Sequence, residues 1–322
     1  MVTKVTDAEF LNAWETYGSP QAVSEALKLT LRSVYSRRQA LAGRGHELVT
    51  FNPLNKKVDI FYSKTMIPEN RRVIKHEVKN GHVFIASDCH YWPGDESIAH
   101  KAFVKLINEM KPTSTVLNGD VFDGARISRH EPLYGTNPPT PKQEIEACVD
   151  RLHEIKNASK NAKTFYTFGN HDVRLWRYIH QNAPELSDAM NLFDYFPGWL
   201  TCWRLDINHS TIIKHRWHQG VHAGYNNALK AMLNTQQGSA AIVTGHLHRL
   251  MISNWRGFSG TAYGIDCGSL ADPEGEQFAY LEGNPTPWAQ GFCVLTFKDG
   301  KLLPPELCEV NNGVAYFRGK EV

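Results

Sequence analysis

Long apolar runs are missing from this chain. No stretch approaches the ~18 consecutive apolar residues that cross a bilayer, so no membrane span is expected. The start, MVTKVTDAEF, lacks the apolar segment of a secretory signal, and none is expected. Patterned cysteines are missing too. Cys89, Cys148, Cys202, Cys267, Cys293 and Cys308 include no CxxC and no regular spacing. That reads as reduced thiols in a cytoplasmic protein without a disulfide framework. Excess charge of either sign is also absent. The formal net charge is +2, so the global balance argues neither for nor against nucleic acid, and the local distribution has to decide. The hydrophobic share of 42% and charged share of 21% are ordinary for a globular protein. A length of 322 residues allows a large domain plus a small one, with a substantial core.

The charge is unevenly placed near the N-terminus. Residues 7–17 carry Phe10, Leu11, Ala13, Trp14 and Tyr17 at helical spacing. Ser19-Pro20 reads as the cap and first turn of a second helix, to Leu27. Thr30 caps a third, Leu31 to about Leu41, which Gly43 ends. Three short helices with a tight turn between the last two suggest a helix-turn-helix domain over 1–43. From Lys28 to Arg44 there are five basic residues and no acidic one. The third helix is expected to present Arg32, Ser36, Arg37 and Arg38 to DNA, since such side chains reach phosphates and base edges in the major groove. The stretch resembles the small helix-turn-helix domains of transcription regulators and phage packaging proteins. A solvated helical bundle or an oligomerisation cap is the plainer alternative, and a homodimer stays open.

Residues 44–57 read as a linker. Val58–Tyr62 is strand-like, and Val73–Val78 is expected to pair with the following strand in a hairpin around Asn80-Gly81. His76 and His82 are expected on a sheet edge without chemistry.

The chemistry lies further on. Val83–Ala86 is a short apolar run, like a buried parallel strand, and it ends in Asp88-Cys89-His90. Thr115–Leu117 is a second, ending in Gly119-Asp120-Val121-Phe122-Asp123. Between them Ile98–Met110 reads as a crossover helix. Ligands collect at this edge of open α/β sheets. A third strand, Thr164–Phe168, ends in Gly169-Asn170-His171-Asp172. A fourth, Thr211–Ile213, is followed by His215, with His218 and His222 as competing ligands; His215 is preferred because it sits at the strand end. A fifth, Ala240–Thr244, ends in Gly245-His246-Leu247-His248, whose two imidazoles project to one side. Cys89 is expected to pack. The Pro- and Gly-rich segment after Asp123, before a helix from about Glu144, holds Arg126 and Arg129, which with Arg174 are candidate phosphate clamps.

In order, these strand ends supply DxH, GDxxD, GNHD, H and GHxH. The chain thereby resembles the calcineurin-like metallophosphoesterases over roughly residues 83–250. The resemblance implies an α/β fold, a two-sheet αββα sandwich over 58–322, with about 124–160 as an insertion. It implies one metal on Asp88, His90, Asp120 and His248, and a second on Asp120, Asn170, His215 and His246. It implies a hydroxide between the ions as nucleophile, His171 stabilising the transition state or protonating the leaving oxygen, and Asp123 orienting His171. Mixed Asp, His and Asn donors suit Mn²⁺, with Fe or Zn²⁺ as alternatives. The residues 255–297 are expected to form strands of the second sheet, Asp299-Gly300 a hairpin turn, and Val314–Phe317 a last edge strand.

Protein phosphatases of the superfamily carry GDxVDRG and GNHE. The GDVFDGA and GNHD of this chain look more like SbcD-type nucleases and general phosphodiesterases. The expected function is a DNA nuclease targeted by its N-terminal domain, in the cytoplasm, including that of a phage host. The alternative is a small-molecule or nucleotide phosphodiesterase or phosphomonoesterase whose N-terminal domain serves assembly.

Overall fold

A computed structural model describes residues 5–17, 20–44, 46, 48, 50–51, 58–59, 72–130, 133–187, 189–216, 241–257 and 260–322. The chain divides into two compact units, 1–68 and 69–322.

The first unit holds α1 (Asp7–Tyr17), α2 (Pro20–Leu27) and α3 (Leu31–Ala42), as the apolar spacing predicts. Phe10, Trp14, Val23, Val34, Leu41 and Leu48 form its core. Lys28, at φ 51°, turns the chain between α2 and α3, and the Thr30 hydroxyl caps α3 by accepting from Ser33 N. Two arginines expected on an outer, DNA-facing surface serve the unit itself. Arg38 is buried; its guanidinium lies 4.5 Å from the Trp14 ring and donates to Leu48 O at 3.1 Å. Arg37 donates through Nε and Nη2 to Asp7 Oδ1, at 3.1 and 2.7 Å. A buried guanidinium needs a carbonyl and an aromatic face, and helical spacing alone does not reveal which arginine will find them. Arg32 and Ser36 are exposed. β1 (Thr50–Phe51) and β2 (Val58–Asp59) pair with each other in antiparallel register. The strand expected to open the catalytic sheet at Val58 therefore belongs to the first unit.

The second unit is a two-sheet α/β sandwich. One sheet runs β17–β16–β15–β13–β4–β5–β6–β7, with β14 beside β13; the other runs β11–β12–β10–β9–β8–β3. In the first, β4 (Gly81–Ala86), β5 (Ser114–Asn118), β6 (Lys163–Thr167) and β7 (Leu200–Cys202) are parallel neighbours. Side chains alternate across a strand, and β4 is buried on both faces. Val83 and Ile85 pack with Val116 and Phe165 against Leu205, Ile213, Val243 and Ile265, which belong to the other sheet. Phe84 and Ala86 face the opposite way, onto Phe103 and Ile107 of α4 (Ile98–Met110) and Cys148 and Leu152 of α5 (Pro141–Ala158). The second sheet contains β3 (Val73–His76), β8 (Arg204–Ile207), β9 (Thr211–Ile213), β10 (Ala241–Thr244), β11 (Leu250–Gly257) and β12 (Gly260–Cys267).

Asn80-Gly81 does not make the expected hairpin. A two-residue type I′ turn needs positive φ at both positions; Gly81 has it and Asn80 does not. Asn80 Oδ1 instead accepts from Asp299 N at 2.8 Å, and Val78 N donates to Asn208 Oδ1 at 2.8 Å. The chain crosses from one sheet to the other here, and β3 pairs in parallel with β8. His76 does lie on that edge, buried, with Nε2 2.8 Å from Ser114 Oγ. His82 sits within the other sheet, on β4, between β13 and β5.

β13 (Gly291–Lys298) departs from expectation as well. It belongs to the site-bearing sheet, antiparallel to β4 on one side and to β15 (Glu306–Asn311) on the other. Asp299 and Gly300, at φ 50° and 75°, do turn it into β14 (Lys301–Leu302). β16 (Val314–Phe317) is followed by β17 (Lys320–Glu321), which pairs outside it and forms the edge.

Candidate metal centre

The ends of β4 and β5 are laced together by main chain. Asp88 N donates to Gly119 O, His90 N to Asp120 O and Tyr91 N to Val121 O, each at 3.0 Å. Asp88, His90, Asp120, His246 and His248 all take positive φ. Non-glycine residues seldom do, and such strain collects at functional sites. Two glycines make room. A Cβ on Gly169 would overlap the Asp120 carboxylate and amide, and one on Gly245 would overlap Ser87 Oγ and lie 2.6 Å from Asp88 Oδ2.

Donor atoms gather in two groups, buried except for half-buried His246. Asp88, His90 and His248 form one, with His248 Nε2 3.2 Å from Asp88 Oδ1. Asp120, His215 and His246 form the other, with His215 Nε2 3.1 Å from Asp120 Oδ2. A third grouping, His90 with Asp123 and His171, is explained by hydrogen bonds: both Nδ1 atoms meet Asp123 Oδ1, at 2.7 and 3.0 Å. His90 Nε2 and Asn170 Oδ1 are buried and have no hydrogen-bond partner, and buried His215 Nε2 makes none beyond its 3.1 Å approach to Asp120 Oδ2. Buried polar atoms are almost always paired. These three belong to residues of the two groups or their immediate neighbour, and lone-pair donors of this kind are what a divalent cation takes up. The donor set thus fits two ions. His215 has its tautomer fixed, because Nδ1 donates to Asn118 O at 2.6 Å and Nε2 is left toward Asp120.

Within the two groups the carboxylates and imidazoles hold one another's charge. Burial raises the acid groups, but the imidazoles of His248 and His215 outweigh it and hold Asp88 at a pKa of about 2. Asp120 is held well below the usual carboxylate range against burial, chiefly by His215 and His171. Burial lowers His215, and the Asp120 and Asp88 carboxylates outweigh it and push it up to about 10. His246 falls to about 4 through burial and the His215 charge.

Residues 81–250 match the family model described as calcineurin-like phosphoesterase, more than half of the chain. The protein belongs to that family. It is also 26% identical over 248 residues to the Gene 54 protein of Mycobacterium phage L5, covering 69% of this chain and 91% of the relative. The Gene 54 protein of Mycobacterium phage D29 is 25% identical over 260 residues, with the same coverage. Among solved structures, Vps29 complexed with zinc from Entamoeba histolytica aligns at 16% identity and TM-score 0.42, covering 74% of this chain and 98% of that one. A dimetal phosphatase from Danio rerio aligns at 10% identity and TM-score 0.38, covering 75% and 97%.

In this phosphoesterase the expected ligands Asp88, His90, Asp120, Asn170, His215, His246 and His248 all sit at the ends of β4, β5, β6, β9 and β10. His218 and His222 lie outside the described residues. Asp123 touches His171, as expected, and also His90. Arg174 joins them: Nη1 donates to Asp123 O at 2.9 Å, and Nη2 is 3.0 Å from His171 Nε2. Arg126 does not; it donates to Pro138 O and Asn137 Oδ1 within its own loop. Arg129 is exposed beside His130.

Three supporting residues escaped the sequence reading. Asp172 accepts from Asp120 N, Val121 N, Phe122 N, Gly169 N and Tyr166 Oη, and so fixes two ligand loops to each other. Glu144 accepts from Gly124 N and Ala125 N, just after Asp123. Phe278 stands 5.4 Å from the His90 ring and 5.5 Å from that of His248. The Asp of GNHD and the helix-capping signal near Glu144 were visible; Phe278 carries no local signal. Among the described residues no helix is long and apolar enough to cross a membrane.

Proposed function

We propose that this phosphoesterase is a dinuclear-metal phosphodiesterase acting on DNA, of the SbcD-type branch, brought to its substrate by the N-terminal helical unit. The observation that carries the catalytic half is the pair of donor groups with unpartnered atoms, beside Asp123, His171 and Arg174. One ion would be held by Asp88, His90, Asp120 and His248, the other by Asp120, Asn170, His215 and His246, with Mn²⁺ the expected metal. Two such ions polarise phosphoryl oxygens and lower the pKa of bound water.

The remaining steps belong to side chains. Asp123 accepts from His171 Nδ1 and fixes the ring, so that Nε2 lies beside Arg174 and 3.9 Å from Asp120 Oδ2. Burial lowers His171, and the Arg174 charge does too, but Asp120 and Asp123 outweigh them and raise it above its ordinary value. Arg174 brings a permanent cation to His171 Nε2, where its guanidinium can pair with phosphate oxygens.

The DNA half is supported by the tight turn at Lys28 and by exposed Arg32 and Ser36 on α3. The internal use of Arg37 and Arg38 favours a second reading, a phosphodiesterase for nucleotides whose first unit serves assembly. The deciding experiment incubates Mn²⁺-loaded protein with labelled single- and double-stranded DNA, beside Asp120→Asn, Arg32→Ala and the 69–322 fragment. The DNA reading expects cutting by wild type, none by Asp120→Asn, and weaker cutting by the other two. Intact DNA together with turnover of bis-(p-nitrophenyl) phosphate selects the second reading.

A further inference from the structure

The segment between β12 and β13 lies against the metal centre. Leu270 N donates to Ser87 O, Ser269 Oγ to Asp88 O at 2.7 Å, and Ala289 N to His248 O at 2.8 Å. Three aromatic rings ride on it. Phe278 is buried, edge-on to His90 and His248. Trp288 is half-buried, its ring 4.4 Å from His248 and 4.9 Å from Phe278. Tyr280 follows at 6.3 Å from Phe278 and is 59% exposed. Burial and the Asp123 charge raise its phenol while Arg174 lowers it.

Phe278 and Trp288 already cover the imidazoles. Packing does not account for the open Tyr280 ring beside them. A planar aromatic surface next to a metal centre proposed to take a phosphodiester, with Arg174 held at His171 of the same centre, matches the chemistry of a nucleotide. Bases stack on such rings whatever their identity.

We propose that Tyr280 and Trp288 form a stacking platform for an unpaired nucleobase adjoining the scissile phosphate, while Arg174 lies on the phosphate side. The inference rests on the phosphodiesterase reading and narrows its substrate. A base inside a duplex has both faces covered by its neighbours, so the platform selects single strands, frayed ends or free nucleotides over intact duplex.

The test compares thymidine 5′-(p-nitrophenyl phosphate) with its abasic analogue, 1,2-dideoxyribose 5-(p-nitrophenyl phosphate), which share sugar, leaving group and charge but differ in the base. Wild type is expected to favour the thymidine ester in kcat/KM by about 5- to 150-fold, the range of one base–aromatic stack. Tyr280→Ala and Trp288→Ala bring the ratio toward one through KM, and Tyr280→Phe retains it. A second readout is calorimetric binding of thymidine 5′-monophosphate against deoxyribose 5-phosphate to the metal-loaded protein and to Tyr280→Ala. A ratio near one in wild type, a ratio unmoved by Tyr280→Ala, or its loss in Tyr280→Phe overturns the platform. If neither ester is turned over but the nucleotide still binds tighter through Tyr280, the phosphodiesterase reading falls and the platform stands. If neither ester reacts and the base adds nothing to binding, both fall.

Discussion

Asp172 sits one position beyond His171 and touches no ligand side chain, yet it receives four backbone amides and the Tyr166 hydroxyl. Burial and the Asp120 charge push it up, to about 6, against the pull of those donors. Asp172→Asn turns an acceptor into a donor facing amides, which leaves at least one buried N–H unpaired. The expected cost is about 1–3 kcal/mol in urea unfolding, together with a fall in kcat as the Asp120 and Gly169 loops separate; retained kcat at full stability would contradict the bracing role. Asp266 is a different case. It is buried, its Oδ1 meets Thr244 Oγ1 at 2.8 Å, and its Oδ2 has no partner. Burial, joined by the Asp88 charge, raises it to about 7. A carboxyl raised above its unfolded value weakens the fold once ionised. Stability should therefore decline as pH climbs from about 4 to about 7, by at most about 4 kcal/mol at about 1.4 per pK unit. Asp266→Asn is expected to be the more stable protein at pH 8 when metal-free, with the gain vanishing toward pH 4 in parallel denaturation series. The ligands themselves were legible because each ends a short apolar strand. Their left-handed backbone was not, since nothing in Asp88 or His248 announces positive φ before the neighbouring loops impose it.

The segments that carry site residues were legible to different degrees. α5 begins at Pro141 under a reciprocal cap, Thr140 Oγ1 accepting from Gln143 N and the Gln143 side chain accepting from Thr140 N. Its first turn thereby aims Glu144 at the loop that follows Asp123. Glu144→Ala strips the acceptor from Gly124 N and Ala125 N, and the expected loss is about 1–3 kcal/mol, with KM rising as the loop that carries Asp123 shifts. Urea midpoints and steady-state kinetics on a small diester measure the two effects, and a mutant indistinguishable from wild type in both would show that the loop holds itself. The helix was readable from periodicity, its start only from the Thr140–Gln143 pair. Asn80-Gly81 misled because a turn dipeptide reports local preference, whereas Asp299 and Asn208 supply contacts from remote strands that locate the crossover. The strand at Gly291 was legible as a strand but not as a neighbour of β4. Its apolar run is compatible with either sheet, and only long-range pairing decides.

Across the whole molecule the two compact units make a thermal prediction. Calorimetry is expected to resolve separate transitions for 1–68 and 69–322, with Mn²⁺ moving only the second. At 100 times the dissociation constant each bound ion adds about 2.7 kcal/mol to that unit, and chelation should return it to the metal-free midpoint. One transition that shifts as a whole would mean that the units unfold together. The N-terminal unit was legible from its helical spacing, but its boundary was not. β2 looks like any strand, and its partner β1 is only two residues long. The position of β13 carries one more consequence, for the order in which the protein can be made. Ile85 of β4 pairs with Cys293, roughly two hundred residues later in the chain. As the chain leaves a ribosome from its N-terminal end, the strand that delivers Asp88 and His90 has one flank bare until β13 emerges. A ribosome that halts near residue 290 releases all seven ligands on an open-edged sheet, and chains of that length should aggregate or be degraded instead of binding metal.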